Sequence, residues 1–229
     1  MSKKTWIIFA AICIVLLGGL IVLSRKDQAN VSSIDPNEIQ PASASSGNIA
    51  DHVKGLTDSK VVLIEYGDFQ CPYCGQAYPK VKSIVNDYAS KITFVFRNYP
   101  LASLHANARS AAAAAEAAGL QGKYWEMYNK LYETQNEWEN ASTDERTNKF
   151  VAYATAIGVA NIDKFKTDMA GNDVNKKINF DFALGNKQKV TGTPSFFING
   201  TKIDDEVSSS VISGDGSALR KALDSALNK

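Results

Sequence analysis

Cys71-Pro72-Tyr73-Cys74 carries two thiols separated by two residues, a spacing that can close a small disulfide ring and open it again. The thiolate is the attacking species in disulfide exchange, and a thiol at the start of a helix gains from unpaired backbone N–H groups and from the helix dipole. Cys71 stands first in the motif and is the candidate nucleophile. Cys74 falls one turn further on, where it would resolve a mixed disulfide. Pro72 suits the first helical position, because its missing N–H would be unpaired there anyway. A structural zinc clip normally needs four nitrogen or sulfur ligands. Outside the pair, the region after the N-terminal apolar segment offers only His52 and His105, too far apart to form a second ligand pair by spacing. The motif therefore reads as redox chemistry needing neither metal nor bound cofactor. The competing reading is a binding module that holds a metal or a protein through the two thiols without turnover.

Other residues are candidates for the same chemistry. Glu65 lies six residues before Cys71 in an apolar stretch. If it points inward, desolvation raises its pKa and lets it exchange a proton with Cys74; alternation alone leaves an outward Glu65 equally open. Asp68 falls in the turn before the motif, where local turn bonding is the simpler role. Thr193-Pro194 directly precedes a strand-like run. A trans proline there would only spare a ladder hydrogen bond. A cis proline would present the Thr193 backbone to an extended substrate, as in strand addition. His105 stands at a helix start and has no assigned role.

These residues need elements to place them. Val61–Tyr66 is dense in β-branched residues and reads as a strand running into the turn before Cys71. From Cys74, Ala77, Tyr78, Val81, Ile84, Val85 and Tyr88 recur at helical spacing, and Ile92–Phe96 reads as a second strand. Strand, helix and strand at this spacing form a βαβ unit with a parallel pair. Roughly eighty residues of helical pattern follow, and their aromatics Tyr124, Trp125, Tyr128, Tyr132 and Trp138 read as packing between helices. Ser195–Ile198 and Thr201–Ile203 flank Asn199-Gly200 as a hairpin, and Ser217–Leu227 closes the chain as a helix.

The 229 residues carry a formal net charge of +1, which argues against nucleic acid as the main partner. Trp6–Leu23 is almost wholly apolar, with Lys3 and Lys4 before it and Arg25 and Lys26 after it. Eighteen residues at helical rise cover roughly 27 Å, close to the hydrocarbon thickness of a bilayer. A cleaved signal peptide is the rival reading, but no small-x-small site follows closely. The expected organisation is a membrane anchor over 1–27, a flexible linker over 28–50 and a folded domain over 51–229. The flanking charges weakly favour an N-terminus inside and the domain outside, and disulfide traffic belongs to oxidising compartments. Cys13, inside the apolar span, reads as a small hydrophobe.

Glu65-Tyr66-Gly67-Asp68-Phe69-Gln70-Cys71-Pro72-Tyr73-Cys74, together with Val190-Thr191-Gly192-Thr193-Pro194-Ser195-Phe196-Phe197-Ile198-Asn199-Gly200, resembles the DsbA-like branch of the thioredoxin superfamily. Phe96–Leu101 followed by His105 is similar to that branch as well. The resemblance implies a thioredoxin fold with a helical insertion, about 102–188, between βαβ and ββα halves, preceded here by a transmembrane helix. It also implies a cis Pro194, an exposed attacking Cys71, a buried Cys74 and a buried Glu65, with Thr193, Pro72 and Tyr73 meeting the substrate. The implied activity is thiol–disulfide exchange outside the cytoplasm, oxidising cysteine pairs in extended exported proteins, with a quinone-linked membrane thiol oxidase as reoxidant. Members that oxidise secreted proteins carry His where this chain has Tyr73. A neutral hydroxyl adds less to the thiolate than a cation, so isomerase or reductase activity stays open.

Overall fold

The computed structural model describes residues 3–26 and 29–229, with the side chains of 3–5, 17 and 19–26 outside that description. The first helix, α1, runs Lys3–Lys26 and exposes Trp6, Ile7, Ile8, Phe9, Ile12, Ile14, Val15 and Leu16. Among the described residues, no helix is long and apolar enough to cross a membrane. The expected span Trp6–Leu23 runs on into side chains outside the description, and residues 6–16 alone cover only about 17 Å at helical rise. The charged flanks Lys3, Lys4, Arg25, Lys26 and Asp27 also lie outside the described side chains.

Five strands form one sheet in the order β1-β3-β2-β4-β5. They are β1 (His52–Gly55), β2 (Val62–Gly67), β3 (Thr93–Asn98), β4 (Ser195–Ile198) and β5 (Thr201–Lys202). The pair β2/β3 is parallel and the others are antiparallel. A parallel pair needs a crossover, and α2 (Pro72–Asp87) supplies it. A helical block follows β3: α3 (Ala108–Gly119), α4 (Tyr124–Glu133), α5 (Gln135–Trp138), α6 (Thr143–Ala156), α7 (Ile162–Met169) and α8 (Asn172–Lys187). After the β4/β5 hairpin come α9 (Asp205–Ile212) and α10 (Ser217–Leu227). This is a thioredoxin-like α/β fold with a helical insertion between its two halves.

Alternation along β2 sends its side chains to two separate cores. Ile64 and Tyr66 join Val95, Phe197, Phe180 and Leu184 on the α8 face. Leu63 joins Phe94, Phe96 and Phe196 on the other face, in the core that holds Cys71, Cys74 and the helical block. Glu65 shares the parity of Leu63 and pairs in register with Phe96 and Phe196. The fold therefore turns it inward, on the side of the thiols. Tyr124, Tyr128, Tyr132 and Trp138 are buried between the helices, as packing rather than a groove.

Two elements carried no clear sequence signal. β1 is only four residues long with a single β-branched side chain, and pairing with the edge of β3 is what makes it a strand. α9 has Asp205 and Glu206 in its first turn and little apolar pattern beyond the buried Val211.

The expected flexible linker over 28–50 is corrected by its described part. Val31, Pro36, Gln40 and Ile49 are buried. Arg97 donates to the carbonyl oxygens of Pro36 and Glu38, and Lys187 Nζ donates to those of Val31, Ser32 and Ile34. The segment is held by main-chain oxygens accepting from two cations, which a polar composition does not disclose. Arg97 also bonds Asp51 at 2.7 Å, and Lys177 bridges Asp51 at 2.9 Å and Asp181 at 2.7 Å, all with fully buried side chains.

Candidate active site

Cys71 is the N-cap of α2, with extended φ and ψ of −65° and 124°, and Pro72 opens the first turn. The turn before it is built by Asp68. Its Oδ1 accepts the Gln70 N–H at 2.8 Å, its carbonyl accepts the Cys71 N–H at 3.1 Å, and its Oδ2 accepts the Leu101 N–H at 2.9 Å. His105 Nδ1 lies 2.7 Å from the same Oδ2. The expected local turn role of Asp68 is therefore real but partial, since it also ties down the loop after β3.

Gln135, at the start of α5, donates from Nε2 to the carbonyls of Phe69 and Cys71 at 2.7 and 3.0 Å. A Cβ at Gly75 would stand 2.3 Å from Gln135 Oε1, so the glycine after Cys74 makes room for this brace. Gln135 lies 64 residues from Cys71, and no local pattern marks it.

The thiols occupy one helical turn and are both free. The Cys71 Sγ donates to the carbonyl of Thr193 at 3.3 Å, and the Thr193–Pro194 bond is cis, as the resemblance implied. The expected exposure difference between the thiols is absent: Cys71 is 3 % exposed and Cys74 1 %. The Thr193 carbonyl lies against Cys71, and Cys74 is packed in the core. Pro72 and Tyr73 stand outside, with Tyr73 57 % exposed.

What separates the thiols is electrostatic. The Cys71 thiol is lowered to about 6, chiefly by the hydrogen bond from the Cys74 thiol. Burial opposes this, while the N–H groups of Cys74 and Tyr73 assist it. Burial pushes Cys74 well above its ordinary value, and the charges of Cys71 and Glu65 push the same way. Helix-start donors reach only the first sulfur, so one turn yields a stable thiolate beside a reluctant thiol.

Glu65 is 2 % exposed and its Oε2 has no hydrogen-bond partner. Burial first, and then the Cys71 charge, raise its pKa to about 8. The structure thus brings Cys71, Cys74, Glu65, Thr193 and Pro194 into one site. Sequence reasoning did not single out Gln135 or the Asp68–His105 pair. Among the described residues, no group of three or more His, Cys, Asp or Glu is arranged to hold a metal ion.

Comparison with known proteins is consistent with this geometry. Residues 47–214 match the model of the family described as thioredoxin. The fold is similar to a thioredoxin-like oxidoreductase from Silicibacter pomeroyi DSS-3, at a TM-score of 0.63 and 26% identity, covering 81% of this chain and 97% of that one. It is also similar to oxidised BdbD from Bacillus subtilis, at a TM-score of 0.67 and 19% identity, covering 83% and 98% of the two chains. The catalytic domain of Proteus mirabilis ScsC superposes at a TM-score of 0.65 and 18% identity, covering 89% and 99%. Among curated proteins, the Na(+)/H(+) antiporter NhaA 1 of Salinispora arenicola is 39% identical over 152 residues, which are 66% of this chain and 22% of the antiporter. The chain thus spans about a fifth of the length of that curated relative.

Proposed function

This chain belongs to the thioredoxin family, with the DsbA-like helical insertion, and from that premise we propose that it is a thiol–disulfide oxidoreductase acting on cysteine pairs of extended exported proteins. The observation that carries this reading is the placement of two thiols on one turn, Cys71 as the N-cap of α2 against the Thr193 carbonyl and Cys74 buried within the helix, which lowers the first thiol and raises the second.

In the oxidising direction, a substrate thiolate attacks Cys71 of the Cys71–Cys74 disulfide. Cys74 leaves with the bonding electron pair, and protonated Glu65 supplies its proton. A second substrate thiolate then attacks the substrate sulfur of the mixed disulfide. Cys71 departs as a thiolate, and the substrate retains the new disulfide. Stabilising the departing Cys71 thiolate stabilises the reduced enzyme, which favours oxidation of the substrate. A quinone-linked thiol oxidase in the membrane would restore the disulfide by accepting the two electrons.

The exposed apolar side chains of α1 support a membrane anchor, and the dithiol supports a domain on the extracytoplasmic side, because disulfide traffic belongs to oxidising compartments. The curated relatives are named as Na(+)/H(+) antiporters. Ion transport is not assigned to this chain, which matches only 22% of the first of them.

The test is the equilibrium potential of the Cys71–Cys74 pair against glutathione. A potential well above roughly −200 mV supports the oxidase, and one near or below roughly −250 mV replaces it with a reductase. An isomerase is recognised by unscrambling of a mispaired substrate without net oxidation. Absence of any exchange with glutathione overturns the enzyme reading itself.

A further inference from the structure

Oε2 of Glu65, the hydroxyl of Tyr132 and Oγ1 of Thr193 are buried around the dithiol without a hydrogen-bond partner, and the first two lie in the core behind it. Such orphans are rare in protein interiors, because each forfeits a bond it would make in water. The placement of the first two on the fold is related. Glu65 and Gly67 are two residues apart on β2 and so face the same way. A Cβ at Gly67 would stand 3.2 Å from the Tyr132 hydroxyl and 2.3 Å from the Phe96 ring. The missing side chain of Gly67 therefore leaves space for the Phe96 ring, with the Tyr132 hydroxyl at its edge, on the face of β2 that carries Glu65. Side chains at i and i+2 of a strand are roughly 7 Å apart, a gap that the reach of a glutamate narrows to about one water diameter.

The Tyr132 ring is fixed against Phe69, Tyr78 and Tyr128, with centroids 5.0, 5.2 and 5.1 Å away. Its phenol is pushed well above the ordinary tyrosine value by burial, and then by the charges of Cys74 and Glu65. It stays a neutral O–H donor at any pH at which the thiols react.

We propose that Tyr132 is a positioning residue for Glu65: through one buried water it donates to the ionised carboxylate and so sets the pH at which Glu65 exchanges a proton with Cys74. This rests on the exchange reading of the dithiol. In the resolving step, the Cys74 S–H proton passes to the Glu65 carboxylate, and the Cys74 sulfur attacks Cys71 of a mixed disulfide. The substrate sulfur leaves with the bonding pair. The Tyr132 hydroxyl gives up no proton. It makes the ionised form of Glu65 less costly in an otherwise apolar pocket.

The test compares the reduced wild-type chain with Tyr132→Phe, which keeps the ring, by following the Glu65 side-chain carboxyl carbon by NMR across pH. The titration midpoint rises by roughly one pH unit on loss of the donor. Tyr128 also faces the Glu65 charge, so the control is Tyr78→Phe, in the same aromatic layer with its hydroxyl bonded to Asn129 and Glu133, which leaves the midpoint in place. An unchanged midpoint in Tyr132→Phe, or an equal rise in Tyr78→Phe, overturns the proposal. A second readout is the pH inflection for resolution of a Cys71 mixed disulfide, which moves with the NMR midpoint and shows no further change when Tyr132→Phe is added to Glu65→Gln. Movement in that background overturns the proposal as well. If the chain catalyses no exchange, the oxidoreductase reading fails, and the carboxyl titration still decides what Tyr132 does.

Discussion

Oδ2 of Asp68 lies 2.7 Å from Nδ1 of His105, and the carbonyl of the same Asp68 accepts the N–H of Cys71 at 3.1 Å. One buried residue thus joins the loop after β3 to the turn that presents the nucleophile. Replacing it strands the N–H groups of Gln70 and Leu101 as well as the imidazole. Asp68→Ala is expected to lose about 2–4 kcal/mol of stability, and His105→Ala about 1 kcal/mol, because the main-chain bonds survive in the second case. Urea unfolding of the reduced proteins checks this; equal losses would remove Asp68 from its central place.

Exchange requires both thiols in different roles. Cys71→Ser is expected to abolish it, while Cys74→Ser accumulates mixed disulfides with substrates. Alkylation of Cys71 should rise with pH through about 6 and then level off, where an ordinary thiol would rise near 8.5. Full activity in Cys71→Ser, or a midpoint at the ordinary value, would contradict the site.

Glu65 makes the fold pH-dependent with a definite sign. Its folded pKa, about 8, stands above the ordinary value of 4.5, so ionisation is disfavoured by folding. The penalty is absent below the unfolded value and grows until the folded value is passed. Glu65→Gln is expected to match the wild type at pH 4 and to exceed it at pH 8 by roughly 4 kcal/mol. Denaturant unfolding at the two pH values gives the difference, which includes the Cys71–Glu65 repulsion that glutamine removes.

The ion pairs of Asp51 with Arg97 and Lys177, and of Lys177 with Asp181, are wholly buried. Removing one partner leaves charge without compensation. Lys177→Met is expected to cost about 3–5 kcal/mol, read as a lower urea midpoint. A loss under about 1 kcal/mol would mean that the cluster relaxes without its cation.

If α1 anchors the chain with its domain outside, a membrane-impermeant maleimide labels Cys71 in intact cells after mild reduction. Removal of residues 1–26 moves the protein out of the membrane fraction. Labelling only after lysis would reverse the orientation.

Much of the site was legible in the order of residues. The dithiol motif needs only local spacing to be recognised, since one helical turn brings Cys71 and Cys74 together whatever surrounds them. The strand–helix–strand pattern likewise follows from periodicity. Local sequence also explains part of the difference between Cys71 and Cys74, because one turn sets the Cys74 thiol and the helix-start N–H groups against the Cys71 sulfur.

Other features depend on contacts across the fold. Whether Glu65 faced inward turned on sheet register, which pairs it with Phe96 and Phe196 on the thiol side. Residues 29–50 read as a tether because their composition is polar; Arg97 and Lys187 bind their carbonyl oxygens, and main-chain acceptors are the same in every sequence. Gln135, His105 and Tyr132 reach the dithiol region through the helical insertion and the loop after β3. The sequence by itself determined which groups can exchange disulfides. Tertiary packing decided that both sulfurs are covered and which distant side chains hold their turn, because burial and hydrogen bonding are set by neighbours far away in the chain.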